Sequence, residues 1–281
     1  MDGFNRTTGR LGVTVGMAKY IHCILPRLLI PLLLVWHAEA ELETGIGFGY
    51  AHVPDYIGSD EAEDYLLPLP YIRYRSETLN IDRNAIQGNL WRRGNWSLEL
   101  SFGGAIRVES EDNAARQGMD DLDFVGEAGP ALHYYFHGDR LADNALFLVL
   151  PLRSAISTDF TSAQFRGATF NPTLYWRRAY HINNIEVRPQ LSAELRSATA
   201  AYHDYFYGVD AAFVTEQRRR YNASSGFGGY GLSYSTALVW EQYLLAGFVR
   251  WINIQQAEFA DSPLVKQQHA SYFGVAGAYL F

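Results

Sequence analysis

The residues able to do chemistry are spread thinly along this chain, and none are spaced as a catalytic or metal site requires. His133 and His137 lie four apart in an alternating stretch. On a strand that spacing puts both on one face, about 13 Å apart, too far to share a metal ion. Gly226-x-Gly228-x-x-Gly231 matches a dinucleotide fingerprint, which needs a helix opening behind it. LSYSTALVW follows instead and reads as a strand, so the glycines suit a loop exit and close strand packing. Asp55, Asp60, Glu61, Glu63 and Asp64 offer carboxylate oxygens to a divalent cation, but without the spacing of an EF-hand loop. A solvated acidic loop is the plainer reading. Arg218, Arg219 and Arg220 could pair with phosphates or carboxylates, and an exposed charged loop is again the plainer reading. Serine, histidine and aspartate are present with nothing to arrange them as a nucleophilic site. The expectation is a protein with no catalytic residue, no cofactor and no bound metal.

A second set of polar residues is organised by alternation rather than by clustering. Glu99, Arg107, Glu127, His133, Arg177, Glu186, Arg188, Glu194, Arg196 and Arg250 all fall on the polar row of an extended segment whose other row is apolar. Trp96, Leu98, Leu100 and Phe102 alternate with Ser97, Glu99 and Ser101, continuing to Glu109. Ile185, Val187, Leu191 and Leu195 alternate with Glu186, Arg188, Glu194 and Arg196. Such runs exceed the globular strand of about 5–6 residues and suit the roughly 9–11 needed to cross a bilayer. A soluble sandwich would turn the apolar row inward; a transmembrane barrel turns it to lipid and encloses the polar row. On the second reading those ten residues line a lumen, where Arg and Glu on facing strands pair and hold the wall, or, as the alternative, select solutes.

The segments that must position them number about twelve, with ten possible. Residues 78–90 read as a single weak strand, and Tyr202 to Val214 as a ninth. ALFLVLPLRSAI is apolar on both faces and fits the scheme poorly. Pro68 and Pro70 confine their strand to a special place, since proline cannot donate to a ladder. Glu241-Gln242 reads as a tight turn. Counted this way, the long connection at 109–121 falls at the same end as the termini, where barrel turns are usually short. At the C-terminus Phe273, Val275, Tyr279 and Phe281 make an apolar row with an aromatic finish, as the last strand of an outer-membrane barrel would; Tyr279 and Phe281 are expected to act as its sorting signal.

Near the N-terminus Lys19 and Arg27 precede the apolar run Leu28 to Trp36 and the small-residue site Ala38-Glu39-Ala40. This is the pattern of a Sec signal peptide cut after Ala40, with Met1 or Met17 as the start; nine apolar residues cannot span a bilayer as an anchor. Residues 1–40 are thus expected to be leader and 41–281 the barrel. Removing the leader takes away four basic and two acidic residues and moves the formal charge from −7 to −9, which argues against a nucleic-acid partner. The one cysteine, Cys23, leaves with it, so no disulfide or thiol chemistry remains.

Two blocks carry a resemblance. Pro54-Asp55-Tyr56-Ile57-Gly58-Ser59-Asp60 with Pro68, Pro70 and Tyr71, and Asp261-Ser262-Pro263 before the last strand, are similar to signature blocks of the MipA/OmpV family. Glu127-Ala128-Gly129 and the region Tyr205 to Val209 resemble further family blocks. The resemblance implies a closed, monomeric antiparallel barrel in the outer membrane of a Gram-negative cell, in contact with lipid and lipopolysaccharide. It also implies a scaffold role, bringing a lytic murein transglycosylase and a murein synthase together at the envelope, with a narrow solute channel as the alternative.

Overall fold

The computed structural model describes residues 41–75, 79–81 and 86–281. The expected leader, its cleavage site and Cys23 lie outside the described residues, as do the side chains of most of the segment at 78–90. The described chain is almost entirely antiparallel strand, joined in one sheet of fifteen segments. In order these are β1 (Glu41–Pro54), β2 (Ala62–Arg75), β3 (Leu79–Ile81), β4 (Ile86–Arg93) and β5 (Trp96–Ala105). Then come β6 (Phe124–His137), β7 (Ala145–Thr158), β8 (Ala163–Phe170), β9 (Thr173–Arg177), β10 (Tyr180–Ile182), β11 (Ile185–Val187) and β12 (Gln190–Ala198). A short helix α1 (Ala200–Tyr207) precedes β13 (Gly226–Trp240), β14 (Tyr243–Asn253) and β15 (His269–Leu280).

Several segments are pieces of one strand. Pro172 interrupts β8 and β9, yet both pair with β7 in sequence. Pro189 separates β11 from β12, yet both pair with β13, and Arg188 bridges the break by exchanging backbone bonds with Ala237. Proline removes one donor without changing the register. β10 continues β9 in the same register, with Arg177 opposite Gln190, the Arg178 amide donating to the Pro189 carbonyl and Tyr180 opposite Val187. Merging β8 to β10, and β11 with β12, leaves twelve strands. The number matches the expectation, but two errors cancel within it. The segment at 78–90 is two strands, β3 and β4, and Tyr202 to Val214 is α1 with its following loop. Aromatic content favours a strand there. The decisive signal was the four-residue spacing of Tyr202 with Phe206 and of His203 with Tyr207, which puts all four on one side of a helix.

The extra strand also reverses the polarity of everything behind it. Connections 55–61, 106–123, 159–162, 199–225 and 254–268 all fall at one end, opposite the chain terminus at Phe281. The long connection at 109–121 therefore lies away from the termini, correcting the sequence count. The other end carries Gly94-Asn95, residues 138–144, Asn183-Asn184 and Glu241-Gln242. Asn183 (φ 54°) and Glu241 (φ 51°) take the left-handed geometry that a two-residue hairpin requires.

Pairing runs from β13 through β14, β15, β1 and onward to β7, then through β9 and β12 back to β13. It is incomplete in two places. Among the described residues β2 pairs with β3 only at Tyr74 and Arg75, and β5 pairs with β4 only from Trp96 to Glu99. Among the described residues, the second side of β2 over 62–73 thus has no strand partner, and Pro68 and Pro70 lie on that stretch. A proline costs least where no donor is wanted. Near the loop end β8 meets β12 only at Thr169, and α1 packs over the gap, with Thr199 exchanging hydrogen bonds with Ala168.

Burial along the strands is inverted. Ile46, Phe48, Leu191, Leu195, Leu232, Leu245 and Val275 are exposed, whereas Glu99, Glu127, His133, Thr169 and Thr173 are buried. The outer face carries aromatics near both ends: Trp96, Tyr180, Tyr243 and Tyr279 toward the turns, Phe124, Phe160, Phe165 and Tyr230 toward the loops. Tyr279 packs edge-on against Tyr243, and the Phe281 backbone amide donates to the Thr44 carbonyl.

The loop end follows the ordinary rule. Tyr56, Val108, Leu122, Phe206, Tyr207, Val209, Ile254, Phe259 and Leu264, drawn from four connections and α1, form the main apolar cluster. Each large aliphatic side chain buried there contributes about 1.5–3 kcal/mol. A smaller cluster explains the doubly apolar β7. Its inward Phe147 stacks on Tyr135, Tyr175 and His133, so that strand needs an apolar row on both faces.

Candidate functional site

The cap is built by the residues of the signature blocks. Tyr56 donates its hydroxyl to the Leu264 carbonyl at 2.8 Å, joining the first long loop to the last. The Gly58 carbonyl accepts from the amides of Lys266 and Gln267. Gly58 has φ 98°, and a Cβ there would lie 2.9 Å from Ile254 Cδ1, so only glycine fits. Ser262 donates to the Tyr207 carbonyl, Tyr207 donates to the Ile57 carbonyl, and the Tyr207 and Phe259 rings stack at 3.7 Å. Asn113 reaches from connection 106–123 to Asp55 at 2.7 Å and to Ser59 at 3.1 Å. Pro54 ends β1, Asp60 and Asp261 are outer loop positions of the same cap, and Pro263 lies between Ser262 and Leu264.

Two arginines pin the cap through neutral oxygens. Arg116 donates to Ser110 Oγ and to the carbonyls of Phe206 and Asp120. Arg218 donates to the carbonyls of Phe213, Ala115 and Gln117. Arg218 is therefore a buried staple rather than part of an exposed basic loop, and Arg219 donates to the Asp261 carbonyl. Burial pulls the Arg116 pKa down and pushes the Tyr56 and Tyr207 hydroxyls well up. The acidic loop is divided among separate partners. Asp55 takes Asn113, Glu61 takes the Ala114 amide, Asp64 takes Tyr50 and His52, and Glu63 takes Tyr65. Among the described residues no three metal-ligating side chains converge.

Beneath the cap lies a cavity of about 580 Å³. Of the ten residues expected in a lumen, Glu127, Glu194, Arg196 and Arg250 line it along the wall. Glu127 accepts from Tyr202 at 2.8 Å and Thr169 at 3.0 Å, with Arg153 at 3.6 Å. Glu194 sits between Arg250 at 2.5 Å and Arg196 at 3.3 Å. Gly231 makes room for it, since a Cβ would lie 2.6 Å from Glu194 Oε1. Arg107 is different. It lies past the end of β5, exposed at the cavity mouth, bonded to Asp121 at 2.6 Å.

The remaining residues gather toward the turns. Glu186 and Arg188 form a two-bond pair, and Arg188 also reaches Glu43 of β1 at 3.5 Å, on the far side of the sheet order. Glu43 is in turn bonded by Arg73 and Tyr71. Glu99 is wholly buried, accepting from Ser97 at 2.8 Å and lying 3.8 Å from His133. Arg177 donates to the carbonyls of Asp139 and Arg140. Sequence reasoning missed Glu43, Arg73, Arg153 and Tyr202. Arg73, Arg153 and Tyr202 stand on segments whose alternation is broken by proline, by apolar content on both faces or by the helix, and Glu43 stands on the glycine-rich row of β1.

An all-β antiparallel fold with an apolar exterior, a charged interior and a folded cap defines a β-barrel-like protein. The chain belongs to the family described as MltA-interacting protein MipA, whose model matches residues 46–281. No curated protein matches it by sequence. Among solved structures it is similar to Pseudomonas aeruginosa OccK8 (OprE), at 8% identity over 76% of this chain and 68% of that one, with a TM-score of 0.24.

Proposed function

We propose that the protein is a closed, monomeric outer-membrane barrel that serves as a scaffold for murein-remodelling enzymes rather than as an open pore. The family's own name speaks of a partner, MltA, and on this reading a lytic murein transglycosylase and a murein synthase are the enzymes brought together. The observation that carries the scaffold over the channel is the obstruction at both ends of the interior. Folded loops occupy one end, and the Arg188–Glu43 pair spans the strands near the other. The exposed apolar belt with aromatics toward both ends supports lipid as its surroundings.

Short turns in such barrels face the periplasm and long loops face outward. Partners would then meet the rim formed by residues 138–144 and the neighbouring hairpins, where Arg92, Asp139 and Leu141 are exposed. The test is binding of purified lytic transglycosylase to the detergent-solubilised chain, alongside planar-bilayer recording. Binding that is lost when residues 138–144 are shortened, with no steady conductance, is the expected result. A steady open pore and no binding would instead establish the channel reading, which the charged cavity favours.

A further inference from the structure

We infer that the inner face of β1, β2, β14 and β15 holds the alkyl chain of a membrane amphiphile, taken in sideways along β2. The inference goes beyond the scaffold role and rests only on the lipid surroundings proposed with it. Glu43 and Arg73 stand opposite one another and bond on the enclosed side of the wall. Side chains two residues apart on a strand share a face. Gly47 and Gly49 of β1, paired with Leu69 and Leu67 of β2, are therefore turned inward as well. Gly49 also lies opposite Ala276, and Ala276 opposite Ala246. Phe248 falls between Ala246 and the cavity-lining Arg250 on the same face of β14.

Elsewhere the enclosed row carries charges such as Glu99, Glu127 and Glu194; here it is an apolar patch four strands wide, about 14 Å across. The floor is bare, since a Cβ at Gly49 would lie 2.5 Å from Leu69 Cδ1. Yet Leu67, Leu69 and Phe248 remain 50%, 40% and 43% exposed. Water is a poor neighbour for three large apolar side chains, and an alkyl chain is a good one. The way in is beside β2. Its register with β1 runs unbroken through Pro68 and Pro70, so the donors they lack are missing from the second side, which has no strand partner over 62–73 among the described residues. A strand docking there would lose those bonds, whereas an alkyl chain needs none. Outward Leu66 and Ile72 are exposed too, so apolar surface continues around β2 from the outer belt to the inner patch. On the cap side the patch ends at Arg250 and Glu63, of opposite sign, so the polar head is held without preference for either charge.

The test is photolabelling of the full mature chain in phospholipid nanodiscs. The probe is a single-chain amphiphile with a diazirine near the tail end and a phosphocholine, carboxylate or trimethylammonium head. Adducts are located by fragment mass spectrometry. Inward Leu67, Leu69 and Phe248 should be labelled alongside outward Leu66 and Ile72, with similar inner yields for all three heads. L67N combined with L69N should lower the Phe248 adduct at least about fivefold and leave the Ile72 adduct unchanged. F248N, read at Leu67 and Leu69, serves should the first variant fail to insert. Outward labelling with a silent inner face overturns the site and leaves the lipid surroundings standing. Silence on both faces overturns the site and the lipid surroundings together. Inner labelling that neither variant lowers, or that follows one head charge alone, overturns the site too.

Discussion

The cap and the wall are made from one chain and obey opposite rules. In the cap, Leu122, Ile254 and Leu264 are buried, and the arginines reaching inward end on backbone carbonyls. In the wall, Leu191, Leu195 and Leu232 are exposed, while Glu99, Glu127 and His133 are enclosed. Composition does not separate the two regions; the surroundings do. Hydrophobic burial removes apolar surface from water, so an apolar outer face is stable only where hydrocarbon replaces the water. On the proposed reading the cap folds against water and the wall against lipid.

The largest effect that could break this contrast lies in the cap. Leu264 is fully buried, and Leu264→Ala leaves a cavity among Tyr56, Tyr207 and Phe259. The expected cost is about 2–5 kcal/mol of cap stability, read as faster amide exchange in residues 199–225 and 254–268 while the wall stays protected. Equal loss of protection in wall and cap would mean they are one cooperative unit. Next comes the wall. Leu191 is 47% exposed at mid-strand, and Leu191→Arg should cost about 2–4 kcal/mol for folding into lipid vesicles. The same substitution on a water-facing strand would stay within about 0.5 kcal/mol, so a neutral result would remove lipid from the account.

The wall was the readable part. Period-two alternation over Trp96 to Phe102 and Ile185 to Arg196 directly encodes which row meets which solvent, and the closing aromatic row encodes the last strand. The cap was not readable, because its order comes from contacts across the chain. Nothing near Tyr56 says that its hydroxyl will meet Leu264, 208 residues away. Arg218 reads as one of three loop charges until its three carbonyl partners are seen. The side of β2 that finds no partner among the described residues lay between. Pro68 and Pro70 announced that a ladder would be missing somewhere, but not on which side. The polarity of the loops hung on one miscounted strand at 78–90.

A smaller effect sharpens the cap side. Arg116→Met keeps most of the stem volume and removes the guanidinium from Ser110 Oγ and the carbonyls of Phe206 and Asp120. Leaving those acceptors enclosed without a donor should cost about 1–3 kcal/mol. The expected readout is a lowered denaturation midpoint followed through cap tyrosine fluorescence. A midpoint equal to wild type would show that water replaces the guanidinium and that the cap is wetter than its burial suggests.

The smallest effect is a pH dependence confined to the cap. His203 on α1 is buried against Phe259, with ring Nδ1 2.8 Å from the Ser224 carbonyl. Burial, together with Arg196, holds its pKa below the usual value, against the opposing pull of the Ser224 carbonyl and Glu258. A base whose folded pKa is depressed leaves the unfolded cap binding more protons, so stability is full above the unfolded value of about 6.5 and declines as pH falls toward the folded value. Amide protection factors in residues 199–225, taken relative to the base-catalysed intrinsic rate at each pH, should therefore fall between pH 7.5 and pH 5.5, while those of β13 and β14 stay unchanged. His203→Asn keeps a donor for Ser224 without a titrating ring and should flatten the dependence. If the acid response survives that substitution, another group drives it. If it spreads to the strands, cap and wall are coupled, and the division between a water-built cap and a lipid-built wall fails at its boundary.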